Sequence, residues 1–249
     1  MKEQPQKVVA VTGANSGIGL AVVKRYLDLG YKVAAFSRST KQCEALALQY
    51  PNTFMFTKGL VEKATDLQAF YQLIANKWQG VDIVIANAGV AHAEAISDVT
   101  EQSFENTLNI NVKGVFFTVQ QSLGLLNPNA SVILVSSIQA NRGAGVWAAY
   151  GASKAAVRSL ARSFTADLGP KGIRVNCLSP GVTRTPIFDK FGIDRGVLEE
   201  SLIQISDNTP LKRLGTVDDI SSAILYLSSE QASFITGADL QVDGGLAQI

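Results

Sequence analysis

Cysteine and histidine are scarce in this sequence, and their scarcity excludes several chemistries. The 249 residues include two cysteines, Cys43 and Cys177, and a single histidine, His92. They form neither a CxxC pair nor a cluster of ligands, so a structural zinc site is not expected. A Ser-His-Asp hydrolase would have to use His92, because there is no other histidine. Two isolated thiols are typical of a reducing compartment rather than of a disulfide framework.

The sequence also lacks a charge imbalance and a long apolar run. Its 22 Lys and Arg residues nearly balance 21 Asp and Glu residues, which gives a net charge of +1. Neither a nucleic acid nor an anionic membrane is therefore expected as the main partner. No stretch approaches the roughly 20 apolar residues that cross a bilayer, and the first apolar run reaches Gly13 too soon for a signal peptide. We expect a soluble, cytoplasmic protein.

Proline and charged residues are few, whereas hydrophobic residues are abundant. Hydrophobic residues make up 47% of the chain and prolines number seven, which excludes a disordered or collagen-like protein. The length suits one domain over residues 1–249. Charged residues account for 17%, against about 25% in typical domains. The deficit indicates either surface that is buried in an oligomer or an apolar pocket.

Short β-branched runs alternate with longer helical patterns along the chain, as in parallel βαβ units. Strand segments such as Val8-Val9-Ala10-Val11 are apolar throughout, as a sheet covered by helices on both faces requires. The expected α/β fold is a Rossmann-like, doubly wound parallel sheet of about seven strands. The predicted strands lie near residues 7–12, 32–36, 53–57, 81–86, 131–136, 173–178 and 239–242, and the predicted helices near 17–29, 40–49, 64–78, 101–125, 147–168 and 217–228.

One long stretch, about residues 181–216, shows no clear periodicity. It is interrupted by prolines and glycines, including Pro186, Pro210 and Gly215. Long irregular segments in compact domains are often lids or binding loops. The stretch is therefore either a lid on the substrate side of a site or a variable surface connection.

A glycine-rich turn separates the first predicted strand from the first predicted helix. It reads Thr12-Gly13-Ala14-Asn15-Ser16-Gly17-Ile18-Gly19. In such a turn the first glycine permits a sharp bend, the second lets backbone approach a phosphate, and the third lets the helix pack on the sheet. The helix N-terminus then offers free N–H groups to a pyrophosphate. The GxxxGxG spacing also fits a plain glycine turn, but its place in a βαβ series favours dinucleotide binding. No GxxxxGK[ST] follows, which excludes a P-loop.

The second predicted strand ends at Ser37-Arg38, which bears on the choice of cofactor. In dinucleotide folds an acidic residue about 20 positions after the glycines binds the adenosine ribose. Arg38 lies 19 positions after Gly19, and its guanidinium can instead pair with a 2′-phosphate. The feature favours NADP(H) over NAD(H), and the alternative is a solvated arginine in a polar loop.

Tyr150 and Lys154 are four residues apart on a predicted helix, so they share one face. A tyrosine with a pKa near 10 is a poor proton donor or acceptor at neutral pH. An ammonium about 4 Å away is worth about 4 kcal/mol at an effective dielectric of 20, or roughly three pKa units. We therefore expect Lys154 to lower the pKa of Tyr150 towards neutrality. A YxxxK pair by itself also occurs by chance on exposed helices.

Other polar residues are predicted to lie at the carboxyl edge of the sheet. Ser137 and the run Asn87-Ala88-Gly89 each follow a predicted strand, and ligands of open α/β sheets bind at that edge. Asn111 and Gly114 fall within a long helical pattern although both are poor helix formers. Their presence there indicates a local requirement.

Together these motifs resemble the short-chain dehydrogenase/reductase family over essentially the whole chain. The resemblance is carried by the TGxxxGIG turn, Asn87-Ala88-Gly89, Asn111-Val112-Lys113-Gly114, the spacing of Ser137 and Tyr150, Tyr150-Gly151-Ala152-Ser153-Lys154, Arg174-Val175-Asn176 through Pro180-Gly181, Thr185 and Val242-Asp243-Gly244-Gly245. It implies that Tyr150 is the general acid/base, that Ser137 polarises the substrate carbonyl, and that Lys154 grips the nicotinamide ribose. It also implies that Asn111 anchors a water in a proton relay.

The resemblance further implies a small-molecule carbonyl or alcohol substrate, an NADP(H) cofactor and a homotetramer. The cofactor-binding residues it implies are Gly13, Asn15, Ser16, Gly17, Ile18, Gly19, Ser37, Arg38, Leu60, Asn87, Ala88, Gly89, Tyr150, Lys154, Pro180, Gly181, Thr183 and Thr185. The sequence departs from the family at Lys58-Gly59-Leu60, where an aspartate usually binds the adenine amino group. That hydrogen bond is expected to be absent, so that adenine is held by backbone or more loosely.

The expected function is that of an NADP(H)-dependent oxidoreductase interconverting a ketone or aldehyde and an alcohol. A beta-ketoacyl-carrier-protein reductase is the alternative within this class, and a non-catalytic NADP(H) sensor is the alternative outside it. An apolar set comprising Val146, Trp147, Ile187, Phe188 and Phe191 forms either a substrate wall or part of the core.

Overall fold

The apolar strand segments assemble into one parallel sheet. The computed structural model describes residues 6–188 and 194–249. In these residues the strands are β1 (Val8–Thr12), β2 (Lys32–Ser37), β3 (Phe54–Lys58), β4 (Val81–Ala86), β5 (Leu126–Val135), β6 (Arg174–Pro180) and β7 (Asp239–Val242). Their order across the sheet is β3-β2-β1-β4-β5-β6-β7, and every pair is parallel. The predicted Rossmann-like sheet is thereby confirmed.

Eight α-helices connect and flank the strands in the described ranges. They are α1 (Gly17–Asp28), α2 (Lys41–Gln49), α3 (Ala64–Trp78), α4 (Glu101–Leu108), α5 (Gly114–Ser122), α6 (Ala148–Leu168), α7 (Arg195–Asn208) and α8 (Val217–Ser228). A π-helical turn, Asn109–Lys113, joins α4 to α5. No helix in this part of the chain is long and apolar enough to cross a membrane.

Each face of the sheet carries its own apolar core, because successive side chains of a strand point to opposite faces. On one face, Val9 and Val11 of β1 belong to a cluster with side chains of α1, α2 and α8. On the other face, Ala10 belongs to a cluster that includes Phe70 of α3 and side chains of α5 and α6. This two-sided burial explains why the strand segments are apolar throughout.

The order of the strands determines where a ligand can bind. The chain runs outward from β1 to β3 and then crosses back to β4, which pairs with the other side of β1. The loops that follow β1 and β4 therefore diverge at the carboxyl edge of the sheet, and a crevice opens between them. The glycine-rich turn and Asn87-Ala88-Gly89 lie on the two sides of that crevice.

The structure differs from the sequence-based prediction in three segments. The helix predicted near 101–125 is divided by the π-helical turn around Asn111. Strand β5 begins at Leu126, before the strand predicted near 131–136. Its first residues pair with β4 through a register shift, and Asn129 among them adopts a φ of +63°. The stretch 181–216, expected to be irregular, contains helix α7, which begins after the capping residue Asp194.

Candidate active site

A cavity of about 610 Å³ opens at the carboxyl edge of the sheet. Its walls come from segments that follow six strands, β1 to β6, and from one side of α7. Most of the residues predicted to bind a cofactor line it, namely Gly13, Asn15, Ser16, Gly17, Ile18, Ser37, Arg38, Asn87, Ala88, Gly89, Tyr150, Lys154, Pro180, Gly181, Thr183 and Thr185. Ser137 lines it as well. The fold thus brings together residues that are far apart in the sequence.

The glycine-rich turn forms a cradle that side chains would fill. Gly13 has a φ of +66°, and a Cβ there would lie 2.8 Å from the Cα of Ala88. Gly17 has a φ of +52°, and a Cβ there would lie 3.3 Å from the Cβ of Thr185. Helix α1 starts at this turn without a side-chain cap and without an acidic residue in its first turn. Its N-terminal N–H groups and dipole therefore suit an anion such as a pyrophosphate.

Thr12 and Asn87 hold the two sides of the crevice in register. The hydroxyl oxygen of Thr12 accepts hydrogen bonds from the backbone N–H groups of Asn87 and Ala88, each at 3.2 Å. The amide of Asn87 donates to the carbonyls of Thr12 at 3.1 Å and Gly13 at 3.3 Å. The turn is thus fixed by the strand beside it, and Asn87 acts here as a positioning residue.

A positive charge is available at the end of the cavity that follows β2. Arg38 is exposed, lines the cavity and forms no ion pair within the described residues. Ser37 precedes it, with its hydroxyl donating to the Ser39 carbonyl at 2.6 Å. This end of the site fits a phosphate group, because an unpaired guanidinium can bind one with two parallel hydrogen bonds.

Ser137, Tyr150 and Lys154 meet at the other end of the cavity. Lys154 is buried, its Nζ donates to the Val135 carbonyl at 3.0 Å, and Nζ lies 5.7 Å from the centre of the Tyr150 ring. A Cβ at Gly89 would lie 3.3 Å from Nζ, so the glycine leaves space for the ammonium. The Tyr150 ring packs edge-on against Trp147 at 5.6 Å. These contacts fix a phenol, a hydroxyl and an ammonium around one space.

The predicted lowering of the Tyr150 pKa is wrong for this structure. Burial raises the pKa of Tyr150, and a hydrogen bond with Ser137 offsets only part of that rise. Burial also lowers the pKa of Lys154 from 10.5 to about 8. The earlier expectation counted the attraction between ammonium and phenolate but not the loss of hydration of both groups, which opposes charge on either one.

Replacing Lys154 with methionine is expected to raise the free energy of unfolding at pH 7 while abolishing turnover. Methionine removes the cost of burying an ammonium, which the shift from 10.5 to about 8 puts at up to about 3 kcal/mol. Between about pH 8 and pH 10.5 the folded wild type binds fewer protons than the unfolded chain. Its stability therefore rises with pH in this range, and the difference in stability between the wild type and the variant narrows. Urea unfolding at neutral and at alkaline pH measures the difference in stability and its dependence on pH, and steady-state rates measure turnover. A difference in stability between the two proteins that does not change with pH would contradict the lowered pKa of Lys154.

Asn111 lies behind the cavity rather than in its wall. The π-helical turn places it where its Oδ1 accepts the Val90 N–H at 2.8 Å and its Nδ2 donates to the Val90 carbonyl at 2.9 Å. Nδ2 also donates to the Ser153 hydroxyl at 2.9 Å. The side chain therefore joins the segment after β4 to helix α6. This bonding explains why a poor helix former is found in the middle of a helical stretch.

Two more predicted residues do not line the cavity. Gly19 lies beneath the turn, where a Cβ would overlap the Gly13 carbonyl oxygen. Leu60 is likewise absent from the cavity wall, and its N–H donates to Oδ2 of Asp66 at 3.0 Å. Gly19 thus supports the turn through packing, as its position in the motif implied.

Part of the substrate-side wall was missed by the sequence-based prediction. Leu198, Leu202 and Ile205 of α7 line the cavity, and their i, i+4, i+7 spacing after an N-capping Asp194 was the available signal. Glu62 and Gln139 also line it without having been predicted. Of the predicted apolar set, Val146, Trp147, Ile187 and Phe188 line the cavity, whereas Phe191 lies outside the described residues.

Comparison with known proteins gives consistent matches over the whole chain. Residues 13–247 match the family model described as enoyl-(acyl carrier protein) reductase. Oxidoreductase asL5 of Sarocladium schorii is 34% identical over 245 residues, which cover 98% of this chain and 96% of that protein. The NADP-dependent (R)-specific alcohol dehydrogenase of Lentilactobacillus kefiri is 32% identical over 247 residues, covering 96% of each protein.

Solved structures agree with these matches. A short-chain dehydrogenase/reductase of Brucella melitensis, described as a glucose/ribitol dehydrogenase, superposes with a TM-score of 0.90 at 32% identity and covers 96% of each chain. The family match and the relatives extend over nearly all of the sequence, including both ends of the cavity. The chain therefore belongs to the short-chain dehydrogenase/reductase family, whose members are oxidoreductases that act on alcohol or carbonyl groups with a nicotinamide cofactor.

Proposed function

We propose that this protein is a cytoplasmic, NADP(H)-dependent oxidoreductase that interconverts a ketone or aldehyde and the corresponding alcohol. The observation that carries the proposal is the arrangement of one cavity. Ser137, Tyr150 and Lys154 converge at one end, whereas an uncapped helix N-terminus and the unpaired Arg38 lie at the other. Two buried, unbridged cysteines agree with a reducing compartment.

The side chains at the catalytic end have complementary roles in the proposed reaction. A bound nicotinamide dinucleotide supplies or accepts the hydride. Tyr150, kept protonated at neutral pH by its raised pKa, donates its proton to the carbonyl oxygen during reduction and recovers it during oxidation. Ser137 donates a hydrogen bond to the same oxygen as negative charge develops on it. Lys154, with a pKa of about 8, is charged at pH 7 and stabilises the phenolate.

Lys154 and Asn111 have further proposed roles that follow the family resemblance. We propose that the Lys154 ammonium holds the hydroxyls of the nicotinamide ribose. Its bond to the Val135 carbonyl, at 3.0 Å, uses only one of its three hydrogens. Asn111 is proposed to anchor a water in a proton relay through its backbone, because its side-chain amide is engaged by Val90 and Ser153.

The substrate side of the cavity supports an apolar carbonyl substrate. Val146, Trp147, Ile187 and Phe188 form one part of its wall, and the apolar residues of α7 form another. Val146 adopts a φ of +56°, which is unusual for a β-branched residue, and its carbonyl accepts the Glu94 N–H at 2.8 Å. A wall of this kind binds hydrocarbon surface better than a polyhydroxylated chain.

A spectrophotometric screen tests the proposed function directly. Oxidation of NADPH and NADH is followed with apolar ketones, aldehydes, ketoesters, sugars and carrier-linked ketoacyl substrates. We expect the apolar ketones and aldehydes to give the largest kcat/KM, with NADPH as the better cofactor. Activity confined to sugars would contradict the substrate assignment, and inactivity with every carbonyl would contradict the proposed function.

Replacing Arg38 with alanine is expected to reduce the preference for NADPH about tenfold to a hundredfold. The contact with the 2′-phosphate is charge-assisted and exposed to water, and its loss costs on the order of 1.5–3 kcal/mol. The phosphate is remote from the reacting carbon, so the effect should fall on the NADPH KM rather than on kcat. Comparing kcat/KM for NADPH and NADH measures it. Lys41→Ala, at an exposed lysine outside the cavity wall, is the control, and an unaltered ratio in Arg38→Ala would contradict the cofactor assignment.

An apolar surface across α4, α5 and α6 supports a homotetramer. Phe104 and Phe116 remain 42% and 37% exposed. The Phe116 ring lies 5.6 Å from that of Phe164 on α6, so α5 and α6 share an aromatic contact at this surface. Exposed aromatic clusters of this kind usually mark contact between chains, and the low charged fraction of the sequence agrees with buried surface.

Replacing Phe116 with aspartate is expected to dissociate the homotetramer, because a carboxylate would be buried without a partner in the interface. Sedimentation of the wild type should give about four times the 26.5 kDa of the chain. The variant should sediment as smaller species, whereas Leu48→Asp, at a leucine 86% exposed on α2, should remain assembled. A wild type that sediments as a monomer at micromolar concentration would contradict the proposal.

Neither alternative function gains support from the structure. A carrier-protein reductase needs a basic surface for an acidic partner, but Arg213 is engaged by Asp219 at 2.6 Å and Arg184 by Glu199 at 2.8 Å. A non-catalytic sensor would not need the complete set of phenol, hydroxyl and ammonium at one end of the cavity.

A further inference from the structure

A buried carboxylate on β7 contacts three other segments of the fold. Asp239 is the first residue of β7, and its side chain is only 8% exposed. Its Oδ1 accepts a hydrogen bond from the Ser179 hydroxyl at 2.6 Å, and its Oδ2 accepts one from Nδ2 of Asn141 at 3.0 Å. Nε of Arg158 forms an ion pair with Oδ2 at 3.2 Å. Asp239 does not line the cavity, so any effect on the reaction must pass through these partners.

Two of the partners belong to segments that carry part of the catalytic end of the cavity. Arg158 lies on α6 four residues after Lys154, so the two residues share one face of the helix. Ser179 is buried on β6 and directly precedes Pro180 and Gly181, which line the cavity. The carboxylate therefore joins the helix of the ammonium to the strand end beside it.

The third partner, Asn141, connects the carboxylate to the segment that carries Ser137. Ser137 precedes a 3₁₀ turn, Ile138–Ala140, and its hydroxyl oxygen accepts the Gln139 N–H at 3.2 Å. Asn141 directly follows the same turn. The hydrogen bond from Asn141 to Asp239 thus holds one end of a short turn whose other end carries the Ser137 hydroxyl.

We propose that Asp239 is a positioning residue, which sets the distances among Ser137, Tyr150 and Lys154 by tying their segments to β7. This inference rests on the proposed function, because it requires that these three side chains act on one carbonyl group. Reaction rates depend steeply on geometry, and a displacement of about 1 Å can lower kcat about a hundredfold. Cofactor affinity should change little, because the glycine-rich turn and Arg38 lie at the other end of the cavity.

Two substitutions of Asp239 separate positioning from binding. Asp239→Ala is expected to lower kcat with the best carbonyl substrate about tenfold to a hundredfold, while the Kd for NADP⁺ stays close to that of the wild type. Asp239→Asn should restore most of the lost kcat. Its amide oxygen can accept from Asn141 while its NH₂ group donates to the Ser179 hydroxyl, which can act as an acceptor. Steady-state rates and calorimetric titration with NADP⁺ measure the two quantities in the full-length protein.

Asp82 provides a matched control at the opposite edge of the sheet. It lies near the start of β4, where Oδ2 accepts the Val8 N–H at 2.7 Å and Oδ1 accepts Nδ2 of Asn127 at 2.9 Å. Asp82 therefore also ties neighbouring strands together, but it does not line the cavity and is remote from the catalytic residues. Asp82→Ala should lower the free energy of unfolding and keep wild-type kcat.

Asn141→Ala tests the same link from its exposed side. It removes one of the three contacts without leaving a buried cation unpaired, so we expect a folded protein whose kcat is lowered about threefold to tenfold. Because Asn141 acts through Asp239, the double variant should lose no more kcat than Asp239→Ala alone. The single variant decides the matter by itself if Asp239→Ala does not fold.

The outcomes distinguish this inference from the function on which it rests. Wild-type kcat in Asp239→Ala or in Asn141→Ala, equal losses in Asp239→Ala and Asp82→Ala, or no recovery in Asp239→Asn would each overturn the positioning role and leave the proposed function intact. A wild type that turns over no carbonyl substrate would overturn both.

Discussion

Replacing Tyr150 with phenylalanine is expected to lower kcat about a thousandfold or more while the affinity for NADPH stays close to that of the wild type. Transfer of a proton by a positioned side chain contributes about 10²–10⁴ to the rate, and phenylalanine has no proton to give. The substitution keeps the ring, so its packing against Trp147 at 5.6 Å is preserved. Steady-state rates with the best carbonyl substrate and a fluorescence titration with NADPH measure the two effects separately.

A matched substitution controls for the loss of a tyrosine hydroxyl elsewhere. Tyr226 of α8 is 43% exposed and does not line the cavity, so Tyr226→Phe should keep wild-type kinetics. Substantial turnover by Tyr150→Phe across the whole carbonyl panel would contradict the assignment of Tyr150 as the proton donor. A large loss of NADPH affinity in the same variant would indicate that Tyr150 acts mainly in binding.

Replacing Gly19 with alanine is expected to destabilise the fold by about 3 kcal/mol or more and to abolish cofactor binding. The added methyl group would overlap the Gly13 carbonyl oxygen and would lie 2.6 Å from Nδ2 of Asn87. Both neighbours belong to a hydrogen-bonded turn and cannot yield separately. Overpacking a rigid site typically costs 1–3 kcal/mol, and a clash with backbone lies at or above the upper end of that range. Urea unfolding and titration with NADPH measure the two effects.

Gly124 provides the corresponding control. It lies in the turn between α5 and β5, and a Cβ there would meet nothing within 4 Å. Gly124→Ala should therefore change the free energy of unfolding little, or raise it slightly by restricting the unfolded chain. Equal stabilities of the two alanine variants would show that helix α1 can shift away from the turn, contrary to the close packing described above.

Most of the architecture was predictable because the signals for it are local. Apolar strand segments such as Val8-Val9-Ala10-Val11 are buried on both faces, so their composition alone indicated a covered parallel sheet. The π-helical turn was not predictable, because Asn111 is held by a tertiary bond to Val90 that no sequence window contains. Helix α7 was missed for another reason: the glycines and prolines around it outweighed a short amphipathic pattern.

The sequence predicted which residues meet in the candidate site better than it predicted their pKa values. Spacing placed Tyr150 and Lys154 on one helical face, and the fold does bring them together. Their pKa values could not be predicted in the same way, since burial of both groups depends on Trp147, Val135 and the walls of the cavity. Glu62 was overlooked because a glutamate between a strand and a helix ordinarily lies in solvent. Only the three-dimensional structure shows that one of its oxygens is buried.

The cavity takes its walls from segments that follow six strands, and this has a consequence for the lifetime of the protein. Its lining residues extend from Gly13 to Ile205, so the cavity forms only when most of the chain has folded. Binding then stabilises every element at once, by about 2.7 kcal/mol when the free dinucleotide is at 100 times its Kd. Proteases in a cell act on unfolded chains, and their access falls in proportion. We therefore expect a bound dinucleotide to slow proteolysis of the protein.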